Sequence, residues 1–234
     1  MNSPMSSPRR PKPVWFFDLD DTLHHASHAI YGAIDRGMTD YVMRHLAVDR
    51  ATADHLRRDY WRRYGATLLG LVRHHAVDPH HFLRTTHDFD VAALLRAERG
   101  LTRLFARLPG RKLLLTNAPD AYAQTVLREL RLHHHLDRRY AIESMRVHGQ
   151  FRPKPSRLML RAMLARERVA PGAAVLVEDS PKNLKAARAL GFRTVLVVGL
   201  ARQRLRVPQG RAAYVGLRLH SVLDLPRRAV HLRR

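Results

Sequence analysis

The stretch Val14-Trp15-Phe16-Phe17-Asp18-Leu19-Asp20-Asp21-Thr22-Leu23 sets an uninterrupted apolar run directly against a cluster of carboxylates. A continuous apolar run, without alternation, is the pattern of a strand buried on both faces of a parallel sheet. In such a sheet the ligand crevice lies beyond the carboxyl ends of the strands, so the acids after Phe17 stand where a site belongs. Asp18 and Asp20 are two positions apart, which in an extended segment points both side chains to one side. Two carboxylates held together resist joint ionisation unless a cation joins them or one keeps a proton, and either outcome serves catalysis.

Three more continuous apolar runs, at 112–115, 174–177 and 194–198, read as further strands, and shorter ones are expected near 139–142 and 213–215. Helical patterns lie between them at 119–130, 156–167 and 181–190, the last followed by Gly191 in a C-cap position. This order predicts an α/β fold with a Rossmann-like parallel sheet. The first two strands are separated by almost a hundred residues, far more than one crossover requires. The gap contains helix-compatible stretches at 29–46 and 50–71 and no convincing strand, so residues 27–90 are expected to form an all-helical cap insertion. Residues 91–108 then form the helix that returns to the sheet. The expected organisation is a disordered lead-in at 1–13, a core of 14–26 and 91–223, and a basic tail at 224–234.

Composition narrows the classes. The chain has 234 residues, 45% hydrophobic and 26% charged, which fits a globular domain with a sizeable core and excludes wholesale disorder. With no cysteine, neither disulfides nor thiolate chemistry can occur. No apolar run reaches the roughly 18 residues of a membrane span, and the opening lacks the apolar core of a secretory signal, so the expected location is cytoplasmic. The formal charge of +22 invites a nucleic-acid reading, yet 37 of the 42 basic residues are Arg, spread over nearly every segment. The densest stretch, 201–234, holds nine Arg against the single acid Asp224 and is the candidate for contact with polyanions. Adjacent histidines such as His74-His75 project to different faces of a helix and are not read as metal chelates.

The other strand ends are polar too. Strand two finishes in Thr116-Asn117, a hydroxyl and an amide able to donate to anionic oxygens. Lys154 lies between Pro153 and Pro155, which restrict the backbone and aim one cation. The third long strand ends in Glu178-Asp179-Ser180-Pro181. Singly, each cluster also fits a helix cap or a solvated surface group. In the order carboxylates, hydroxyl, lysine, carboxylates, each near a strand-to-helix turn, they resemble the four motifs of the haloacid dehalogenase superfamily over about residues 14–215, and the helical insertion is similar to that superfamily's first type of cap.

That resemblance implies that Asp18 is a nucleophile forming an aspartyl-phosphate and that Asp20 is the general acid and base. It further implies that Mg²⁺ is held by Asp18, the Asp20 carbonyl and Asp179, with Glu178 assisting. Thr116, Asn117 and Lys154 would bind phosphoryl oxygens. Many relatives carry an acid about four residues after the last aspartate; this chain has Asn183 there, so Glu178 is the expected replacement. Dehalogenating relatives lack a carboxylate two residues after the nucleophile, so Asp20 favours a phosphatase or phosphomutase. The stretch 59–71, together with 16–23, resembles the pyrimidine 5'-nucleotidase branch. Tyr60 and Tyr64, four apart, could stack on a base, and Arg63 and Thr67 could bind base or ribose oxygens. The same spacing also fits a buried stripe of Tyr60, Tyr64, Leu68 and Leu71. The expected substrate is a small phosphorylated metabolite, foremost a pyrimidine nucleoside 5'-monophosphate. The alternatives are another monoester, such as a phosphosugar or lysophospholipid, or a polyanion-binding role on a retained fold.

Overall fold

A computed structural model describes residues 12–200, 212–229 and 232. Its centre is a six-stranded, all-parallel sheet. In chain order the elements are β1 (Val14–Phe17), α1 (Ile30–Leu46), α2 (Arg50–Tyr64), α3 (Thr67–His75), α4 (Pro79–Thr86), α5 (Val91–Leu94), α6 (Leu101–Arg107), β2 (Arg111–Leu115) and α7 (Asp120–Glu129). They continue with β3 (Arg138–Tyr140), β4 (Arg146–Val147), β5 (Gln150–Phe151), α8 (Arg157–Glu167), β6 (Ala174–Glu178), α9 (Pro181–Arg188), β7 (Arg193–Val197), β8 (Leu217–Leu219) and α10 (Leu225–Arg228). The sheet order is β3-β2-β1-β6-β7-β8, while β4 and β5 form a separate antiparallel hairpin.

The continuous apolar runs follow from burial on both faces. Trp15 and Phe17 enter one core cluster with Leu114, Val175 and Val177, whereas Val14 and Phe16 enter the opposite one with Leu113, Leu115 and Leu176. Register aligns the strand ends: Phe17 pairs with Leu114 on one side and Val177 on the other. Asp18, Thr116 and Glu178 therefore emerge along one edge of the sheet.

Residues 27–90 contain α1 to α4 and, among the described residues, no strand. The four helices enclose their own core of Tyr41, Val42, Tyr60, Leu68, Leu71 and Phe82. Asp49 caps α2 by accepting the Thr52 N–H at 2.7 Å, and Asp78 caps α4 by accepting that of His80 at 2.9 Å, each satisfying an otherwise orphaned donor.

Three expectations are corrected. The helix expected over 50–71 breaks between α2 and α3, because Gly65 adopts φ 83°, a left-handed conformation that ends the helix with its N–H on the Trp61 carbonyl. The return helix expected over 91–108 is likewise two short helices, with Gly100 at φ 107° opening the second. The last strand, expected at 213–215, forms four positions later as β8. Thr194 Oγ1 donates to the Tyr214 carbonyl and accepts the Gly216 N–H, which ties 214–216 into a loop before strand pairing starts.

The lead-in 1–11 and the Arg-rich stretch 201–211 lie outside the described residues. Of the segment expected as a basic tail, Leu225 and Leu232 are buried in the cluster that also holds Val195 and Leu219, so the packed core continues past residue 223. No described helix is long and apolar enough to cross a membrane.

Candidate active site

As β1 ends, Asp18 still donates its N–H to the Val177 carbonyl at 3.0 Å, so the nucleophile candidate is fixed to the sheet by its own backbone. The chain then closes a tight turn in which Thr22 and Leu23 both donate to the Leu19 carbonyl, at 3.3 and 2.8 Å. Asp21 adopts φ 56° within it, and its carboxylate accepts the Ser27 N–H at 2.9 Å and the Ser27 hydroxyl. This turn brings the side chain of Asp20 against that of His24, four residues on.

Lys154 joins two strand ends. Its ammonium donates to Asp18 Oδ1 at 2.6 Å and to Glu178 Oε2 at 2.7 Å, with all three groups buried. Asn117 locks the backbone of Lys154, donating through Nδ2 to its carbonyl at 3.0 Å and accepting its N–H at 2.9 Å. The amide expected on a phosphate is thus first a brace for the lysine, with one side-chain N–H left over. Thr116 is buried and accepts the Ala118 N–H at 3.1 Å, which leaves its hydroxyl proton to donate. Glu178 Oε1 accepts the Ser180 N–H at 3.1 Å.

Oxygens of Asp18, Glu178 and Asp179 lie within 4.8 Å of one another. Three carboxylates against one ammonium leave an excess of two negative charges among two buried groups and half-buried Asp179 when all are ionised, and that excess shifts their pKa values. Burial, then the charge of Glu178, pushes Asp18 well above the ordinary carboxylate range. Asp179 is raised in the same way by burial, Glu178 and Asp18. Burial also works against ionised Glu178, but the charge of Lys154 together with hydrogen bonds from Asp179, Lys154 and the Ser180 N–H outweighs it and holds Glu178 low. Lys154 is raised because Asp18 and Glu178 overcome its desolvation. An all-oxygen donor set carrying this surplus fits a hard divalent cation.

Asp20 lies outside that ion cluster. Its Oδ1 meets His24 Nε2 at 2.8 Å and accepts the Tyr122 hydroxyl at 2.7 Å. Burial alone would raise its pKa, but these hydrogen bonds prevail and lower it. On α1, the phenol of Tyr31 is pushed up by burial and by the charges of Asp20, Asp179, Asp21 and Asp18. Residues 14–191 match the family model of haloacid dehalogenase-like hydrolases.

The chain belongs to this haloacid dehalogenase-like hydrolase family.

Solved structures of the family share its fold. CbbY from Rhodobacter sphaeroides, crystallised with phosphate, superposes with a TM-score of 0.64 at 20% identity, covering 92% of this chain and 96% of that one. A HAD phosphatase from Thermococcus onnurineus gives 0.61 at 17% identity, covering 93% and 97%. The L-2-haloacid dehalogenase of Xanthobacter autotrophicus gives 0.60 at 15% identity, covering 94% and 99%. Among curated proteins, Phosphate metabolism protein 8 of Saccharomyces cerevisiae is 26% identical over 83 residues. That match covers 33% of this chain and spans about a quarter, 26%, of the yeast protein.

Within this hydrolase the cap residues singled out from sequence divide into two groups. Tyr60 is buried in the cap core, its hydroxyl bonded to His75 Nε2 at 2.6 Å, and its ring lies so close over Gly70 that an added Cβ would meet Cγ at 2.2 Å. Thr67 is also buried and donates to the Arg57 carbonyl at 3.0 Å. Tyr60 and Thr67 therefore hold α2 against α3. Arg63 is 64% exposed and pairs with Asp59 at 2.8 Å, while Tyr64 is half-buried with its hydroxyl on His74 Nε2 at 2.7 Å. Next to them Trp61 is exposed, with Lys182 Nζ of α9 5.6 Å from its ring centroid, so this end of α2 reaches the helix that follows Asp179.

His24, Tyr122 and Tyr31 were not found by sequence reasoning. The four-residue spacing from Asp20 was a usable signal for His24. Tyr122 stands 98 positions from His24, and only the closing of the sheet brings them together.

Proposed function

We propose that this hydrolase is a cytoplasmic phosphatase of small phosphate monoesters, using Mg²⁺ and an aspartyl-phosphate on Asp18, with a pyrimidine nucleoside 5'-monophosphate as substrate. The observation that carries the reading is Asp20, a second carboxylate set apart from the lysine cluster with donors of its own at 2.8 and 2.7 Å. A departing halide needs no proton, whereas a departing alkoxide does, so this residue suits ester cleavage. The name of the yeast relative, which refers to phosphate metabolism, and the phosphate bound in the CbbY crystal point the same way.

In this mechanism Lys154, Thr116 and the remaining Asn117 N–H hold the phosphoryl oxygens, and Lys154 fixes Asp18 in line with phosphorus. The Asp18 carboxylate attacks phosphorus, the P–O bond to the alcohol breaks, and Asp20, protonated in the substrate complex, gives that proton to the departing oxygen. Asp20 then takes a proton from water as the water oxygen attacks phosphorus. The bond to Asp18 breaks, which restores its carboxylate and releases phosphate. Asp18, Glu178 and Asp179 would hold the cation, which when bound neutralises charge on the phosphoryl group.

A panel of CMP, UMP, AMP, a hexose phosphate and a lysophosphatidate, assayed with Mg²⁺ and with EDTA, tests the reading. Chelation is expected to lower turnover by at least about a hundredfold, and full activity in excess EDTA would reject the metal. The two pyrimidine nucleotides are expected to show the highest kcat/KM; a sugar phosphate in that place would transfer the assignment to sugar phosphates.

The exposed end of α2 gives a finer test. Arg63→Ala is expected to reduce kcat/KM on CMP by roughly five- to a hundredfold, the effect of losing one charged hydrogen bond, with a smaller loss on p-nitrophenyl phosphate. Equal losses on both esters with an unchanged melting temperature would remove Arg63 from nucleotide recognition.

A further inference from the structure

Asp20 is held more tightly than a group that only exchanges protons with substrate would need to be. Both of its donors converge on a single oxygen, Oδ1: His24 Nε2 at 2.8 Å and the Tyr122 hydroxyl at 2.7 Å. The donors are also neighbours, with His24 Nε2 and the Tyr122 oxygen 3.4 Å apart. His24 is fully buried, and its Nδ1 has no partner among the described residues. The ring proton therefore belongs on Nε2, where a carboxylate oxygen accepts it, and not on Nδ1, where a buried N–H would stay unsatisfied. Tyr122 is seated in turn by the segment returning from the cap, with the His87 ring 5.4 Å away edge-on and Phe89 at 6.2 Å. Neither donor touches Asp18, Lys154, Glu178 or Asp179 in any hydrogen bond of the site.

We propose that His24 and Tyr122 are positioning residues that clamp Oδ1 of Asp20, so that Oδ2 is the atom aimed at the leaving oxygen. This rests on the phosphatase reading. An oxygen that already accepts two hydrogen bonds is a poor place for a third proton, whereas Oδ2 takes neither bond. In the first half-reaction the proton on Oδ2 passes to the alcohol oxygen as the P–O bond breaks and its electron pair leaves with that oxygen. In the second, Oδ2 receives the proton of the attacking water. Two donors on one atom also stop rotation of the carboxylate, which would otherwise exchange its two oxygens and misplace the proton.

The clamp makes a demand that general packing does not: its removal should matter in proportion to the substrate's need for a proton. The test compares phenyl phosphate, whose phenolate is a poor leaving group, with 2,4-dinitrophenyl phosphate, whose leaving group departs unprotonated. kcat/KM is the quantity to read, because it reports only the steps through loss of the leaving group.

Tyr122→Phe removes one oxygen and keeps the ring. It is expected to reduce kcat/KM for phenyl phosphate about ten- to a hundredfold, part of the 10²- to 10⁴-fold that general acid catalysis contributes, with about tenfold less effect on the dinitrophenyl ester. His24→Leu should behave alike, and His24→Gln, which can present an N–H near the position of Nε2, should recover much of the discrimination. Should His24→Leu fail to fold, Tyr122→Phe and His24→Gln decide.

Equal losses on both esters, or no loss on either, with wild-type turnover intact, would overturn the clamp and leave the phosphatase reading standing. A wild-type protein that releases phosphate from neither ester would overturn that reading and the clamp with it.

Discussion

Asp18→Asn is expected to lower turnover by at least about three orders of magnitude, because an amide is a poor nucleophile and forms no acyl phosphate under these conditions. The fold should survive the change. Asp18 is buried beside buried Glu178 and half-buried Asp179, and burial and the charge of Glu178 push it well above its ordinary range, so its ionised form strains this end of the sheet. Removing that charge should leave the melting temperature of metal-free protein unchanged or raised, the usual relation between a functional charge and stability. Rapid acid quenching after mixing with labelled substrate checks the assignment directly: wild type should carry phosphate on the protein and Asp18→Asn none. Turnover comparable to wild type in the variant would reject Asp18 as the nucleophile.

Lys154→Met should damage both stability and activity, for one electrostatic reason. The substitution keeps much of the side-chain volume but removes the ammonium that meets Asp18 at 2.6 Å and Glu178 at 2.7 Å, all within the buried end of the sheet. Breaking a buried pair by removing one partner costs about 3 to 5 kcal/mol, because the charge left behind is uncompensated. Activity should fall about a hundredfold or more through the loss of a fixed cation beside the transferring phosphoryl group. Adding Glu178→Gln to Lys154→Met separates the two effects. The double variant should regain much of the stability measured by urea unfolding and none of the turnover. A single Lys154→Met protein as stable and active as wild type would show that the ammonium has no such role. Arg is not expected to substitute, since its planar fork does not fit a site shaped for a compact ammonium.

The helices of residues 27–90 show how far pattern reading carries. Residues 27–90 were expected to be helical, and helices occupy them, yet the single helix expected over 50–71 is two. Gly65 is where the difference arises: glycine in a helical pattern can be tolerated or can take a left-handed φ and end the helix, and spacing alone does not decide between these. With the break, Tyr60 and Leu68 belong to different helices, although both still enter the cap core. Gly100 acts in the same way on the return segment, and Thr194 displaces the last strand by stitching the loop in front of it.

By itself the sequence determined the parallel sheet and which polar residues end its strands. Strands buried on both faces must be continuously apolar, and polar residues that end such strands can only sit at the crevice edge; both properties are local and can be read residue by residue. Tertiary structure decided what each polar group does there. Asn117 reaches across 37 positions to brace the backbone of Lys154, Lys154 reaches 136 back to Asp18, and Tyr122 reaches 102 back to Asp20. Hydrogen bonds depend on distances of a few ångströms in space, and separations of that length along the chain leave no period or spacing by which the partners could be recognised before the sheet closes.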